Sequence, residues 1–234
     1  MNNAYKKFGY FYDEIMACVN YDLWLEFVEE YLKVGDSILD LACGTGTFCN
    51  LLALKGYHAD GLDLSESSIE IANEKKKLNR LDINYRVCDM SKFKTDKKYD
   101  CMTCLFDSMN FLPKKKDIQN MLSCVSKGLK DNGYFICDIF SKEMLKEYSN
   151  NEMHEDYETF KIDWYTKKVK DNQLHHDVII TEKGNQPFTE TYDEYYYDIK
   201  DISHKNLKLI KVCGDFNEDL QDEDERILLV FQKI

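Results

Sequence analysis

A glycine-rich turn after a short apolar run is the part of this sequence best suited to bind a small ligand. The run "SILDLAC" contains Asp40 and leads into "GTGTF", where Gly44 and Gly46 flank a threonine. Glycine has no Cβ atom, so at the carboxyl end of a parallel strand it lets a ligand approach the backbone closely. The pattern predicts a nucleotide-binding turn. A tight strand-to-helix turn that binds nothing is the alternative.

Two features of the turn bear on the kind of nucleotide. A dinucleotide-binding turn has the pattern G-x-G-x-x-G, and its third glycine lets the helix pack closely on the strand. Cys49 stands in that third position, which disfavours a nicotinamide oxidoreductase. Asp40 would repel an anionic pyrophosphate and would attract a ligand with an ammonium or sulfonium charge. The turn therefore indicates a cationic nucleoside.

The elements around the turn alternate between strand and helix patterns. The strand-like runs are "SILDLAC", "HADGLDLS", "INYRVCDM", "YDCMTCLF" and "YFICDIF". One intervening helix is marked by apolar residues at helical spacing, namely Ile118, Met121, Leu122, Val125 and Leu129. A helix also follows the second strand, with either Ser67 and Glu70 as a capping box or Ser65 as its cap. Strands alternating with helices predict an α/β fold with a parallel sheet covered on both faces.

The pattern changes near Tyr157. Three alternating runs separated by "DNQ" and "KGN" predict a three-stranded antiparallel meander, and "NLKLIKVCGDF" and "RILLVFQKI" predict two closing strands. Only "KDISH", about one helical turn, lies between the meander and the closing strands. We expect an N-terminal helical lid at 1–33, a cofactor-binding core at 34–142, the meander insertion as a substrate lid at 143–200, and closing strands of the core sheet at 201–234.

The motifs together resemble a known family. "LDLACGTG" resembles motif I of the class I S-adenosylmethionine-dependent methyltransferases, and three later motifs follow in the expected order between about residues 34 and 140. Asp63 matches the acid that binds both ribose hydroxyls, while Asp89 and Met90 match the residues at the adenine. "YDCMTCLFDSMNFL" resembles motif IV, beside the methionine part of the cofactor. The resemblance implies a Rossmann-like, seven-stranded, mostly parallel sheet with helices on both faces, a helical lid and a three-stranded antiparallel insertion after the fifth strand.

The resemblance also implies the cofactor contacts. They are Asp40, Ala42, Cys43, Gly44, Thr45, Gly46, Asp63, Leu64, Asp89, Met90, Leu105, Phe106, Tyr12 and Trp24. Two of these acids have simpler interpretations, because Asp63 could cap the helix that starts near Ser65 and Asp89 could be an ordinary loop acid.

The N-terminal stretch and motif IV bear on the substrate. "YKKFGYFYDEIMACVNYDLWLEFVEEYL" resembles the helical lid of bacterial small-molecule methyltransferases, with Tyr12, Asp13, Tyr21 and Trp24 at the matching positions. "FDSMNF" replaces the Asn/Asp-Pro-Pro-aromatic signature of enzymes that methylate amino groups of nucleobases or glutamine. Relatives that act on amino groups of deoxysugars and other metabolites also carry a meander after the fifth strand.

Several residues are candidates for the chemistry of methyl transfer. In-line displacement needs mainly a nucleophile held about 3 Å from the methyl group, and a general base contributes roughly 10²–10⁴-fold. Asp107, His154 and His175 are the catalytic candidates, and His176 and Glu194 are further possibilities. Four nearby tyrosines could contact a cationic amine or could simply pack the meander; they are Tyr192, Tyr195, Tyr196 and Tyr197.

Composition limits the partners. A net charge of -12 and a pI near 4.9 would repel nucleic acid, and no apolar run is long enough to span a membrane. Nine scattered cysteines predict reduced thiols in a cytoplasmic protein. We expect no metal site, because Cys101 and Cys104, like His175 and His176, face opposite sides of a strand.

The predicted function is transfer of a methyl group from S-adenosylmethionine to nitrogen or oxygen of a small-molecule metabolite, which leaves S-adenosylhomocysteine. The predicted protein is a monomer or homodimer. A tRNA methyltransferase and a non-catalytic S-adenosylmethionine-binding regulator are the alternatives.

Overall fold

Two β-sheets organise the computed structural model, which describes residues 7–234. The strands are β1 Ser37–Leu41, β2 His58–Asp63, β3 Asn84–Val87, β4 Tyr99–Cys104, β5 Leu129–Phe140, β6 Asn150–Asp156, β7 Phe160–Lys170, β8 Gln173–Glu182, β9 Phe188–Tyr195, β10 Leu207–Gly214 and β11 Arg226–Lys233. The helices are α1 Gly9–Ile15, α2 Tyr21–Glu29, α3 Thr47–Leu54, α4 Glu66–Leu78, α5 Lys115–Gly128 and α6 Lys142–Glu147.

The larger sheet has seven strands in the order β10-β11-β5-β4-β1-β2-β3. Strands β1 to β5 run parallel, and β11 is antiparallel to both of its neighbours. Successive side chains of β1 point to opposite faces, so Leu39 packs with Leu122 of α5 while Ile38 packs with Leu52 of α3. The predicted Rossmann-like fold is confirmed.

The smaller sheet, sheet B, lies between β5 and β10 in the chain and has the order β6-β7-β8-β9. It contains the three predicted strands and a fourth, β6, which the sequence analysis missed. That strand reads "NNEMHED" and has a single apolar residue, Met153, so it lacks the alternation that marks a half-buried strand. It forms because its backbone pairs with β7 from Asn150 to Asp156.

Local sequence features explain where several helices begin and end. Ser65 caps α4 by accepting a hydrogen bond from the Ser68 amide at 3.2 Å. Helix α5 ends at Gly128, so Leu129, which the helical spacing placed in the helix, begins β5 instead. A short 3-10 helix, Ile199–Asp201, overlaps the start of the segment "KDISH".

Helices α1 and α2 precede the core and lie within the expected lid, whose first six residues fall outside the described part of the chain. All nine cysteine thiols are free, and Cys101 and Cys104 are buried. Among residues 7–234 there is no helix with the length and apolar character needed to cross a membrane.

Candidate active site

The glycine-rich turn connects β1 to α3 through left-handed backbone conformations. Ala42, Gly44 and Gly46 have φ values of 58°, 54° and 78°. The Cys43 amide donates to the carbonyl of Leu62 at 3.0 Å, and the Gly46 amide donates to the carbonyl of Cys43 at 2.9 Å. Glycine adopts such φ values at little cost, which explains why the chain can turn so sharply here.

The two glycines of the turn face different surroundings. A Cβ atom on Gly44 would meet nothing closer than Tyr12 Cε1 at 4.0 Å. On Gly46 it would lie 2.5 Å from Tyr85 Oη and 2.9 Å from Ala72 Cβ. Gly44 therefore leaves the backbone open towards a cavity, whereas Gly46 allows α3 to pack against β3 and α4.

A cavity of about 370 Å³, including space open to solvent, lies above the turn. It brings together eight of the predicted cofactor contacts: Tyr12, Asp40, Ala42, Cys43, Gly44, Thr45, Leu105 and Phe106. Four further residues line it without having been predicted as contacts: Tyr21, Thr47, Phe48 and Ser108. All four stand inside motifs quoted in the sequence analysis but were not assigned as cofactor contacts there: Tyr21 in the N-terminal lid, Thr47 and Phe48 in "GTGTF", and Ser108 in "FDSMNF".

Asp40 supplies a buried carboxyl group to this cavity. It accepts hydrogen bonds from Thr103 Oγ1 at 2.6 Å and Cys49 Sγ at 3.7 Å, and only 4% of it is exposed. Burial raises its pKa to about 7 although these hydrogen bonds oppose the rise, and the nearby charge of Asp63 adds to it. A cation in the cavity would favour the ionised form of Asp40.

Asp63, at the end of β2, holds the backbone of the glycine-rich turn in place. Its two oxygens accept backbone hydrogen bonds from Gly44 at 2.9 Å and Ser65 at 2.8 Å. Burial raises the pKa of Asp63 even though these backbone donors lower it. Ser65 caps α4, so Asp63 is not its N-cap residue. A carboxylate has about four acceptor positions, which leaves room for further hydroxyl donors.

The other predicted cofactor contacts do not line the cavity. Asp89 accepts hydrogen bonds from Ser91 and pairs with Lys92 at 2.6 Å, and these donors hold its pKa below the usual value despite partial burial. Met90 Sδ lies 3.9 Å from Cys104 Sγ. Trp24 is buried with its ring centroid 4.4 Å from that of Phe106. Gly46 faces the α4 side, as described above, and Leu64 is exposed.

Helix α1 lies against the glycine-rich turn. Asp13 accepts hydrogen bonds from Thr45 Oγ1 at 2.6 Å and Thr47 Oγ1 at 3.2 Å, and it pairs with Lys75 at 2.8 Å. Tyr21, at the start of α2, also faces the cavity, where burial raises its pKa to about 12. These contacts close one side of the cavity.

The three catalytic candidates occupy different places. His154 and His175 lie on the outer face of sheet B, where each pairs with an aspartate, Asp163 at 2.6 Å and Asp193 at 2.8 Å respectively. They are not brought to the cavity. Asp107 follows β4 in a left-handed conformation with φ 51°, and the next residue, Ser108, lines the cavity.

The cavity suits a cationic nucleoside such as S-adenosylmethionine. Its floor is open backbone at Gly44, and its one buried acid, Asp40, is not paired with a basic residue. Within the described residues, no group of three or more histidine, cysteine, aspartate or glutamate side chains could hold a metal ion. The site therefore offers charge complementarity and a close backbone approach.

Comparisons with known proteins agree with this geometry. The family model described as "Methyltransferase domain" matches residues 32–201. The crystal structure of an S-adenosylmethionine-dependent methyltransferase from Clostridium acetobutylicum is 27% identical, with a TM-score of 0.85 over 99% of both chains. YqeM of Bacillus subtilis, provisionally named as a methyltransferase, is 27% identical over 98% of this chain and 97% of its own. CalS10 from Micromonospora echinaspora, an amino pentose methyltransferase, shares the fold with a TM-score of 0.72 at 14% identity over 100% of both chains.

Proposed function

We propose, from the premise that this chain belongs to the methyltransferase-domain family, that it transfers a methyl group from S-adenosylmethionine to nitrogen or oxygen of a small molecule. The observation that carries the proposal is the cavity above the glycine-rich turn, where open backbone at Gly44 adjoins the buried carboxyl of Asp40. A dinucleotide would place a pyrophosphate beside that carboxyl, which its charge opposes. A sulfonium or ammonium group suits it.

We assign different residues to the three parts of the proposed donor, which are its methionine, ribose and adenine. Asp40 and Gly44 are proposed to hold the methionine end, and Asp63 to accept the ribose hydroxyl groups at the end of β2. Asp89 and Met90 follow β3, at the same edge of the sheet, and are proposed to contact the adenine. This assignment uses the rule that ligands bind outside the carboxyl ends of parallel strands.

The acceptor is proposed to be small because α1 covers one side of the site. Helix α1 lies on the turn through Asp13, and Phe11 and the preceding Phe8 pack on sheet B. The net charge of -12 also opposes binding of nucleic acid. The fold shared with an amino pentose methyltransferase supports a metabolite as acceptor.

The chemistry needs little more than alignment. S-adenosylmethionine supplies a methyl group already activated by its sulfonium sulfur. The protein then has to hold the acceptor atom about 3 Å from that methyl group and in line with the bond that breaks. Leu105 and Phe106, after β4, contribute apolar surface to the cavity and limit access of water to the methyl group.

Calorimetry tests the donor assignment. The protein should bind S-adenosylhomocysteine, while NAD under identical conditions should give no heat of binding. Tight binding of NAD, or failure to bind S-adenosylhomocysteine, would remove the basis of the proposal.

Transfer of a labelled methyl group tests the acceptor class. The protein is incubated with methyl-labelled S-adenosylmethionine and either a metabolite extract freed of macromolecules or total tRNA. We expect label in small molecules that depends on the protein and is reduced by Asp40→Asn. Label that appears only in tRNA would show the acceptor assignment to be wrong, and cofactor binding with no transfer to either pool would indicate a regulator.

A further inference from the structure

A second group of polar residues, of which Asp138, His176 and Glu194 are buried and Asp107 and Arg226 half-buried, lies between the carboxyl edge of the larger sheet and the inner face of sheet B. We call it the roof cluster; it comprises Asp107, Asp138, His176, Glu194 and Arg226. Arg226 forms ion pairs with Asp138 and, at 3.5 Å, with Asp107. His176 and Glu194 face inward from neighbouring strands β8 and β9. None of these side chains is explained by binding of the methyl donor.

His176 is held in one tautomer by its neighbours. Its Nδ1 atom lies 3.0 Å from Trp164 Nε1 and 3.0 Å from Thr166 Oγ1. An indole nitrogen can only donate, so Nδ1 of His176 must accept and the ring proton must be on Nε2. Nε2 is buried and has no aligned hydrogen-bond partner among the described residues, although it lies 3.1 Å from Glu194 Oε2. The Nε2–H group of His176 is therefore a hydrogen-bond donor without an aligned acceptor, close to Glu194.

Glu194 is a buried acid without a basic partner of its own. The one arginine of the cluster already serves Asp107 and Asp138, and His176 is neutral in the tautomer that Trp164 imposes. Burial raises the pKa of Glu194 and the charge of Asp107 reinforces the rise, whereas His176 and the more distant charge of Arg226 oppose it. With its acids ionised, the cluster carries three negative charges against one positive charge. A ligand cation would reduce this excess of negative charge.

Asp107 links the roof cluster to the cofactor cavity. Its amide donates to Asp138 Oδ2 at 2.8 Å, and Ser108 beside it lines the cavity. Asp138 Oδ1 is a second buried polar atom of the cluster that lacks a hydrogen-bond partner in the described structure. A buried acceptor without a partner is costly unless a ligand donor completes it.

We infer that Glu194 binds the protonated amino group of the methyl acceptor and takes its proton, and that His176 positions Glu194 for this role. The inference rests on the proposed methyl transfer and narrows its acceptor to basic amines. Glu194 touches the acceptor and is the catalytic residue, whereas His176 acts through it.

The step balances as follows. The Glu194 carboxylate takes one proton from the ammonium group and becomes a carboxylic acid, which leaves a neutral amine with a free lone pair. That lone pair forms a bond to the methyl carbon while the carbon–sulfur bond breaks and its electron pair stays on sulfur. The products are a methylated ammonium ion and the neutral thioether S-adenosylhomocysteine. Glu194 then releases its proton to solvent.

Charge explains why the cluster suits an amine better than a hydroxyl group. A hydroxyl acceptor is neutral and offers no positive charge to balance Asp107 and Glu194. A carboxylate is also too weak a base to ionise an alcohol, whereas it can take a proton from an ammonium group when burial raises its pKa.

Binding of a matched pair of probes tests this assignment without any need for turnover. Benzylamine and benzyl alcohol differ at one polar group, and ligand-observed NMR compares their affinities for the complex with S-adenosylhomocysteine. We expect benzylamine to bind more tightly than benzyl alcohol. We expect Glu194→Gln to lower the affinity for benzylamine by about tenfold or more, as for loss of one partner of a buried charge pair. Asp156→Asn, an equal charge change on the exposed edge of sheet B, is the control.

The outcomes separate the two proposals. The role of Glu194 would be overturned if the wild-type protein binds S-adenosylhomocysteine but prefers benzyl alcohol or does not bind benzylamine. It would also be overturned if Glu194→Gln leaves the affinity for benzylamine unchanged. In each case the proposed methyl donor would stand. Failure to bind S-adenosylhomocysteine would instead overturn the proposed function.

The role of His176 is tested during turnover. Glutamine can both accept from Trp164 and donate to Glu194, whereas leucine can do neither. We expect His176→Leu to lower kcat for an amine acceptor about tenfold or more with cofactor affinity unchanged, and His176→Gln to recover part of the rate. Labelled products should be retained on a cation exchanger at neutral pH. Equal rates in the two variants, or label confined to neutral products, would contradict the inference.

Discussion

Gly44 and Gly46 belong to one turn but meet different constraints. The open side of Gly44 faces the cavity, and a side chain there would occupy space that we assign to the methyl donor. A side chain on Gly46 would collide with Tyr85 and Ala72 inside the core. Because Tyr85 Oη also donates to the Gly46 carbonyl at 3.1 Å, that contact cannot easily move away. The first glycine is therefore assigned to binding and the second to packing.

Alanine substitutions should separate these roles. Gly46→Ala should lower the free energy of unfolding by roughly 1–3 kcal/mol, because it combines overpacking with a left-handed backbone. Gly44→Ala should cost less stability, since it has the strain without the collision, but it should weaken binding of S-adenosylhomocysteine. Urea denaturation and calorimetry measure the two quantities. Equal losses of stability in both variants would contradict the difference in packing.

Asp40 is the residue whose charge we propose to select the ligand most directly. Replacement by asparagine keeps an oxygen that can accept from Thr103 but removes the negative charge. We expect Asp40→Asn to lower the affinity for S-adenosylmethionine by about tenfold, and to lower the affinity for S-adenosylhomocysteine by less if Asp40 faces the sulfonium. Equal losses for both ligands would place Asp40 at the amino group instead. Unchanged affinity for both would remove Asp40 from the binding site.

At the scale of elements, α1 connects the glycine-rich turn to sheet B. On one side Asp13 bonds to Thr45 and Thr47 of the turn. On the other side Glu190 of β9 accepts hydrogen bonds from the amides of Lys7 at 2.6 Å and Phe8 at 3.2 Å. The helix that lies along one side of the cavity is therefore held at both ends, and we expect ligand exchange to become faster when either end is released.

Loosening one end should speed exchange of the ligand. Asp13→Asn replaces charge-assisted hydrogen bonds, each worth roughly 1.5–3 kcal/mol, by weaker neutral ones. We expect faster dissociation of S-adenosylhomocysteine, by roughly tenfold, and faster amide exchange in α1. Stopped-flow fluorescence and hydrogen exchange measure these effects. Glu14→Gln, on the same helix and exposed, is the control, and an equal effect in this variant would assign the change to charge alone.

The elements also show what the sequence can and cannot specify. Strands and helices with clear apolar periodicity were predicted correctly, because burial of one face imposes that period. Strand β6 was missed because its pairing with β7 is made by backbone groups and leaves little trace in side-chain type. Asp107, His176 and Glu194 were named as candidates, but their grouping with Arg226 could not be predicted, because these residues lie far apart in the chain and meet only after the sheets have packed.

At the scale of the whole molecule, several carboxyl groups are buried or half-buried at the carboxyl edge of the larger sheet and on the inner face of sheet B. Burial is the largest cause of the raised pKa of Asp40, Asp63, Asp138 and Glu194. Each of these acids binds a proton more tightly in the folded protein than in the unfolded chain. Folding therefore keeps unfavourable charge at the site, where a cationic ligand would relieve it.

The sign of the resulting pH dependence is fixed. A group that binds protons more tightly when folded makes the free energy of unfolding fall as pH rises from its unfolded pKa to its folded pKa. For Asp40 this window runs from 3.8 to about 7. At about 1.4 kcal/mol per pKa unit the full shift corresponds to roughly 4 kcal/mol, an upper limit for the cost above pH 7.

Asp40→Asn should remove this contribution. The variant should be more stable than the wild type at pH 8, by up to about 4 kcal/mol, and the difference should shrink as pH falls towards 4. The exposed pair of His154 and Asp163 also loses stability as pH rises, but it is unchanged in the variant and cancels from the comparison. Urea denaturation across this pH range measures the difference. Parallel curves for the two proteins would show that Asp40 is ionised without cost, and its preference for a cation would then need another origin.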